Sequence, residues 1–145
     1  MRNWRNDWSL ARIYIIDNSV TYRKVIISCL QALNFNNLKA FDDGESCFAS
    51  KEPKPDIVIL DFNLGDGKWN GLEFMEEYSR SNNTINYIFL SSSTRVEIAV
   101  DAIRMGAKDY ILKSKSGLTR LAKQVDLITN SPLRERVEQK HMNIN

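Results

Sequence analysis

Polar side chains that could support phosphoryl chemistry stand at the ends of short apolar runs of strand length. They are Asp17, Asn18, Asp61, Ser91 and Lys113. Two carboxylates and an amide oxygen are the hard ligands that Mg²⁺ prefers. A lysine and a hydroxyl provide the positive charge and the hydrogen-bond donors that a phosphoryl group needs. Asp61, between them, can act as a nucleophile toward phosphorus and form an aspartyl phosphate.

The segments around these residues predict the elements that position them. Apolar runs predict strands at residues 12–16, 38–41, 57–60, 87–90 and 110–112. Between the runs, apolar residues recur at helical spacing, as they do from Tyr22 to Leu33. This order is β-α repeated five times, and it predicts an α/β fold with a doubly wound parallel sheet, since parallel strands need crossover connections. The carboxyl ends of such strands meet at one edge, where ligands bind.

The composition predicts one soluble globular domain for this chain of 145 residues, with 43% hydrophobic and 26% charged residues. We assign residues 1–11 to an N-terminal arm, 12–130 to the domain, and 131–145 to a tail or the start of a linker. The net charge of +2 does not indicate a nucleic acid or an anionic membrane as a partner. No signal peptide or apolar run of membrane-spanning length is present, so we expect a cytoplasmic protein.

Cysteine and histidine are too few to suggest other kinds of chemistry. The two cysteines, Cys29 and Cys47, form no CxxC motif, and the single histidine, His141, stands in the polar C-terminal segment. Zinc sites with histidine ligands and Ser-His-Asp catalysis are therefore not expected. Cys29 falls on the apolar face of the first predicted helix, where we expect a buried, reduced thiol.

The chain resembles the receiver domains of two-component response regulators from about residue 12 to residue 129. The resemblance is carried by the segments IIDNS, VILDFNLGDG, IFLSSS and GAKDYILK, in this order and spacing. It implies a flavodoxin-like fold with strand order 2-1-3-4-5. It also implies Mg²⁺-dependent transfer of a phosphoryl group from a sensor histidine kinase or a phosphotransfer protein onto Asp61. Such a domain is not an enzyme beyond slow self-dephosphorylation.

The resemblance further implies a role for each matching residue near the metal. Asp17 and Asn18 correspond to the acidic pair that binds Mg²⁺, and Asp61 corresponds to the phosphoacceptor, which also binds the metal. Asn63 corresponds to the residue whose backbone carbonyl is a further ligand. Since the second member of the pair is normally acidic, Asn18 removes one negative charge, and we expect phosphorylation to survive with a higher Mg²⁺ requirement.

The resemblance also implies a switch. Ser91 corresponds to the hydroxyl that reaches the phosphoryl group, Ser92 to the small residue after it, and Lys113 to the lysine that pairs with the phosphate. Tyr110 corresponds to the aromatic residue that fills the space vacated by Ser91. The surface of the last two helices and the strand between them would then change its partners.

Two loops depart from the family pattern. Gly65 stands where proline is usual, in a longer loop after Asp61, and Asp66 in that loop could act as an outer-sphere acid or as a solvated turn residue. Ser114 follows Lys113 where proline is usual. We therefore expect the loop after Lys113 to be shaped differently or to be more mobile.

Other functions are compatible with the same residues. The main one is a pseudo-receiver, a protein-interaction module that works without phosphorylation, which Asn18 favours. A phosphatase of the haloacid dehalogenase type would need an acid where Asn63 stands, and a Rossmann-type nucleotide site would need a G-x-G-x-x-G motif that the first strand lacks. The output would be a downstream protein or a fused output domain, and a homodimer through the last helices is possible.

Overall fold

A computed structural model of the chain describes residues 10–82 and 84–130. The proposed tail, residues 131–145, and most of the proposed N-terminal arm, residues 1–11, lie outside these ranges. His141 lies outside them as well.

Strands and helices alternate along the described chain. The strands are β1 (Ile13–Ile16), β2 (Leu38–Phe41), β3 (Ile57–Leu60), β4 (Asn86–Ser91) and β5 (Asp109–Leu112). The helices are α1 (Val20–Ala32), α2 (Gly44–Ala49), α3 (Gly71–Ser79), α4 (Val96–Arg104) and α5 (Lys115–Ile128).

The strands form a five-stranded parallel sheet in the order β2-β1-β3-β4-β5. The predicted α/β fold and the strand order implied by the resemblance are both confirmed. Most predicted boundaries agree within one or two residues. Ser91, which was expected to follow β4, is the last residue of that strand and pairs with Leu112 of β5.

The alternating side chains of each strand divide the core into two layers. Ile13 and Ile15 pack with α1 and α5 on one face of the sheet. Tyr14 and Ile16 pack on the other face, with α2, α3 and α4. Both faces are therefore covered, which explains why the strands are continuous apolar runs.

Side-chain caps fix where the helices begin. Ser19 caps α1, Asp43 caps α2, and Ser114 caps α5, each by accepting a hydrogen bond from a backbone N–H of the first turn. Asn70 and Glu73 form a reciprocal capping box at α3. The cap at Ser19 explains why α1 begins at Val20, before the first apolar residue of the predicted stripe. These caps fix the start of four of the five described helices, and α4 follows Arg95 without a side-chain cap.

The two cysteines occupy different environments, and both are free thiols. Cys47 is buried, and burial raises the pKa of its thiol to about 12, so it is protonated at neutral pH. Cys29 is only partly buried. The expectation of a buried Cys29 was therefore wrong, because the apolar stripe of α1 is narrower than its sequence suggested and is centred on Ile26 and Leu30.

The cap at Asp43 predicts a pH-dependent contribution to stability. A hydrogen bond from Ser46 is the main reason that the pKa of Asp43 is lowered from its ordinary 3.8, and an ion pair with Lys68 at 3.2 Å contributes to the shift. Asp43→Asn should lower the free energy of unfolding by about 1 kcal/mol at neutral pH, because it removes the charge and keeps a capping oxygen.

This difference should be constant above the unfolded pKa of 3.8 and disappear as the pH falls through the lower folded pKa. Urea denaturation of both proteins at a series of pH values measures it. A difference that persists in acid would contradict the assignment. Asp43→Ala, which removes the cap as well as the charge, should cost more than Asp43→Asn at neutral pH and should still cost about 1 kcal/mol in acid.

Within residues 10–82 and 84–130, no helix has the length and apolar character needed to cross a membrane.

Candidate functional site

The sheet register brings the predicted polar residues to one edge. Asp17 follows β1 and Asp61 follows β3, and the N–H of Asp61 donates to the carbonyl of Ile16 at 2.9 Å. On the other side of β3, the N–H of Lys113 donates to the carbonyl of Ser91 at 2.9 Å. The backbones that carry these side chains are thus extensions of one hydrogen-bonded sheet, which gives the site a rigid base.

Lys113 lies between the two carboxylates. Its Nζ atom is 2.8 Å from Oδ2 of Asp17 and 2.8 Å from Oδ2 of Asp61. The side chains of Asp17 and Asp61 are only 2% and 6% exposed, and that of Lys113 is 14% exposed. Burial of a lone carboxylate is costly, so the ammonium group offsets a large electrostatic penalty at this edge.

The same contacts shift the titration of the lysine. Burial by itself would lower the pKa of Lys113, but its close contacts and charge interactions with Asp17 and Asp61 outweigh that effect and raise the pKa above 10.5. Lys113 is therefore fully protonated at neutral pH. A permanent positive charge is available beside the carboxyl group of Asp61.

Two carboxylate oxygens at this edge have no hydrogen-bond partner. They are Oδ1 of Asp61 and Oδ2 of Asp17, and the latter contacts Lys113 as an ion pair without the alignment of a hydrogen bond. The other oxygen of Asp17 accepts the N–H of Ser19 at 2.8 Å. Buried oxygens of this kind fit a hard divalent cation, which would satisfy them.

The carboxylates alone do not form a complete metal cage. In the described part of the chain, no group of three or more His, Cys, Asp or Glu side chains is arranged to hold a metal ion. Asn18 is exposed beside Asp17, and Asn63 is exposed in the loop after Asp61. The amide oxygen of Asn63 accepts the N–H of Gly65 at 3.1 Å, so its side chain is used in shaping the loop. These residues fit Mg²⁺, which keeps several waters, better than a metal that needs a full protein cage.

The hydroxyl-bearing residues of the site differ in exposure. Ser91 is buried, and its Oγ atom accepts the N–H of Ser93 at 3.2 Å, whereas Ser92 is exposed. Tyr110 is partly buried, stacks on Phe89 with 5.9 Å between ring centroids, and donates its hydroxyl to the carbonyl of Ser93 at 2.9 Å. Ser91 and Tyr110 thus both bind the backbone of the segment that follows β4.

The loop after Asp61 is attached to α2, a feature that the sequence reasoning missed. Lys68 forms its ion pair with Asp43, and the backbone N–H of Trp69 donates to Oε2 of Glu45 at 3.1 Å. The Trp69 ring meets Phe48 edge-on at 5.5 Å between centroids. Asp66 is exposed in this loop. The pairing depends on three-dimensional proximity, and no spacing rule within the sequence would have identified it.

Tyr22 is a second missed feature. Its position in the apolar stripe of α1 suggested a core residue, and it does pack partly against the core. Its ring also lies under the ammonium group of Lys113, with 4.4 Å between Nζ and the ring centroid. Tyr22 therefore belongs to the surroundings of the site.

Comparison with known proteins agrees with this geometry. Residues 13–126 match the family described as the response regulator receiver domain. The chain is 31% identical over 105 residues to the protein named putative response regulator NtrX-like of Rickettsia bellii. The aligned region covers 72% of this chain and 22% of that protein. It is 29% identical over 105 residues to the chemotaxis protein CheY of Listeria monocytogenes, covering 72% of this chain and 87% of CheY.

Solved structures share the fold. The receiver domain of NtrX from Brucella abortus superposes with a TM-score of 0.68 at 26% identity, covering 78% of this chain and 96% of that domain. A chain of the CheX-CheY-BeF3-Mg²⁺ complex from Borrelia burgdorferi superposes with a TM-score of 0.70 at 22% identity, and the match covers 81% of this chain and 88% of that chain.

The chain belongs to the receiver-domain family of two-component response regulators. It spans about a fifth of the length of the NtrX-like relative and most of the length of the Listeria CheY.

Proposed function

We propose that the chain accepts a phosphoryl group on Asp61 from a sensor histidine kinase or a phosphotransfer protein. The observation that carries this proposal is that the two carboxylate oxygens of Asp61 have different surroundings. Oδ2 is bound by Lys113 at 2.8 Å, whereas Oδ1 is buried and has no partner. The unpartnered Oδ1 would attack phosphorus as the bond between phosphorus and the donor nitrogen breaks.

The surrounding side chains would stabilise the charge of the transferred group. Lys113 stays protonated and would turn from Asp17 and Asp61 toward the phosphoryl oxygens. The hydroxyl of Ser91 would exchange its contact with Ser93 for one with the phosphoryl group. Fixed positive charge and donors of this kind are the main requirement of phosphoryl transfer.

Mg²⁺ would be held by Asp17 and Asp61, with the amide oxygen of Asn18 and the backbone carbonyl of Asn63 as further ligands. When bound, it supplies positive charge that offsets the charge on the phosphoryl oxygens. The support from this chain is the burial of the Asp17 and Asp61 carboxylates beside one ammonium group, with Oδ2 of Asp17 held by its ion pair with Lys113 and by no hydrogen bond. The relative from Borrelia was solved with BeF3 and Mg²⁺, which is consistent with such a site.

The output would follow from a population shift at the Ser91–Tyr110 pair. Movement of Ser91 toward Asp61 would open space for Tyr110, whose hydroxyl now binds Ser93. The surface formed by α4, β5 and α5 would then change its affinity for a downstream protein, a fused output domain or a second copy of the chain.

The proposal is tested by phosphorylating the purified chain with acetyl phosphate and Mg²⁺ and measuring the intact mass. We expect the mass of one phosphoryl group to be added to the wild type and none to be added to Asp61→Asn, which has the same shape. NMR spectra recorded with beryllofluoride and Mg²⁺ should show shifts around Asp61 and along β4 and β5. No adduct and no shifts at saturating Mg²⁺ would contradict the proposal and favour a module that acts without phosphorylation, the alternative suggested by Asn18.

A separate prediction concerns Asn18. Its replacement by aspartate should increase Mg²⁺ affinity about tenfold, because an exposed carboxylate attracts a divalent cation across a few ångströms of partly hydrated space. Titration of Mg²⁺ against Trp fluorescence or NMR shifts measures the change, with Asp101→Asn, at an exposed carboxylate of α4, as the control. Equal affinities for the wild type and Asn18→Asp would refute this prediction.

A further inference from the structure

The ammonium group of Lys113 contacts the aromatic ring of Tyr22 as well as the two carboxylates. The Lys113 Nζ atom is 2.8 Å from each of Asp17 and Asp61, and it is 4.4 Å from the centroid of the Tyr22 ring. A cation over an aromatic face within about 6 Å is attracted by the ring, and the attraction is stronger where water is excluded. Here the lysine side chain is only 14% exposed.

The position of Tyr22 is set by the same short segment that carries the predicted metal ligand. Oδ1 of Asp17 accepts the N–H of Ser19, and Oγ of Ser19 accepts the N–H of Tyr22 at 3.2 Å. Together with the ion pair between Lys113 and Asp17, these contacts connect the segment that carries Tyr22 to the lysine that its aromatic ring contacts. The backbone of Tyr22 is therefore fixed relative to Asp17 by the first turn of α1.

We propose that Tyr22 is a positioning residue that holds the Lys113 ammonium group beside Asp61 for phosphoryl transfer. The proposal rests on the function proposed above. Lys113 has a long, flexible side chain that loses conformational freedom when it is fixed. A ring that occupies one side of the ammonium group leaves the side facing Asp61 for the phosphoryl oxygens and keeps water from competing. This arrangement pre-organises the positive charge before the donor arrives.

The electron-rich face of the Tyr22 ring and its volume make separate contributions. A leucine at position 22 would preserve the apolar stripe of α1, but it would offer no electron-rich face to the ammonium group. The contribution of the ring can therefore be separated from that of its volume.

The decisive experiment replaces Tyr22 with phenylalanine and with phenylalanines carrying increasing numbers of ring fluorines, at nearly constant size. The rate constant of phosphorylation by acetyl phosphate at saturating Mg²⁺ should be similar for Tyr22→Phe and the wild type. It should then fall stepwise with fluorination, to about five- to tenfold below wild type for the most fluorinated ring and for Tyr22→Leu. Equal rates across the fluorinated series would overturn the proposal.

A second measurement needs no phosphoryl donor. Modification of Lys113 by an amine-reactive reagent, followed by peptide mass spectrometry with exposed Lys24 as the internal reference, should become faster as fluorination increases. If the wild type accepts no phosphoryl group, the proposed function fails, and a graded rise in Lys113 modification still supports the positioning contact. An unchanged rate of modification across the series would overturn it. The two failures are thus distinguishable.

Discussion

Replacing Lys113 with methionine is expected to lower the free energy of unfolding by about 3–5 kcal/mol in metal-free buffer. The substitution removes the ammonium group that lies 2.8 Å from both Asp17 and Asp61, and it leaves two buried carboxylates side by side. Removing one partner from a buried ion pair is strongly destabilising, because the remaining charge is uncompensated. Urea denaturation in the presence of EDTA measures the loss.

Two controls separate this effect from a loss of packing. Asp61→Asn should cost much less, since Lys113 keeps its contact with Asp17 and one buried charge is removed. Mg²⁺ should restore part of the stability of Lys113→Met, because a ligand that binds only the folded state stabilises it by mass action. A Lys113→Met protein as stable as the wild type in EDTA would show that the carboxylates do not depend on this lysine.

The effect of Lys113 should also depend on pH in a defined direction. Its folded pKa is raised above 10.5, so its stabilising contribution is fully present below 10.5 and is lost as the pH rises through the folded value. The difference in the free energy of unfolding between the wild type and Lys113→Met should therefore stay constant from neutral pH to about pH 10 and should fall only above that pH.

Replacing Gly117 with alanine is expected to destabilise the protein by about 2–3 kcal/mol and to reduce phosphorylation. A Cβ atom at this position would lie 2.0 Å from the carbonyl oxygen of Leu112 and 3.1 Å from Oγ of Ser114. In an unobstructed helix alanine would be favoured over glycine by about 1 kcal/mol. The overlap is with backbone, which cannot rotate away. The cost of this overpacking is therefore expected to exceed the gain in helix propensity, so that the substitution destabilises the protein.

The functional part of this prediction follows from the position of Gly117. It lies in the first turn of α5, and its N–H donates to Ser114, the residue after Lys113. Displacement of this turn should move Lys113 away from Asp61. Thr119→Ala, an exposed substitution in the same helix, should change stability by less than about 0.5 kcal/mol. Wild-type stability and phosphorylation in Gly117→Ala, measured by urea denaturation and intact mass, would contradict the close approach of α5 to β5.

Much of the fold was predictable because its determinants are local. Ile57–Leu60 is a strand covered on both faces, and a strand of this type is visible as an uninterrupted apolar run. Once the strands are parallel, the acids and the lysine that follow them must share an edge. The grouping of Asp17, Asp61 and Lys113 therefore followed from topology and needed no knowledge of side-chain contacts.

The parts that could not be predicted depend on packing between distant segments. Nothing in the sequence pairs Lys68 with Asp43 or aims the ring of Tyr22 at Lys113, since these contacts arise from how helices and loops settle on the sheet. Ser114 illustrates a different limit. It was noted only as a departure from proline, whereas its hydroxyl caps α5, a local role that the serine signature of a helix start could have suggested.

The attachment of the Asp61 loop to α2 has a practical consequence. Trp69 is the only tryptophan in residues 10–82 and 84–130, and its indole ring rests against Phe48 in a partly buried position. Its emission colour and intensity respond to the polarity and contacts of its surroundings. Any rearrangement of the loop that disturbs the aromatic pair would therefore be visible as an optical change. Trp69 is therefore a fluorophore within the loop that follows Asp61.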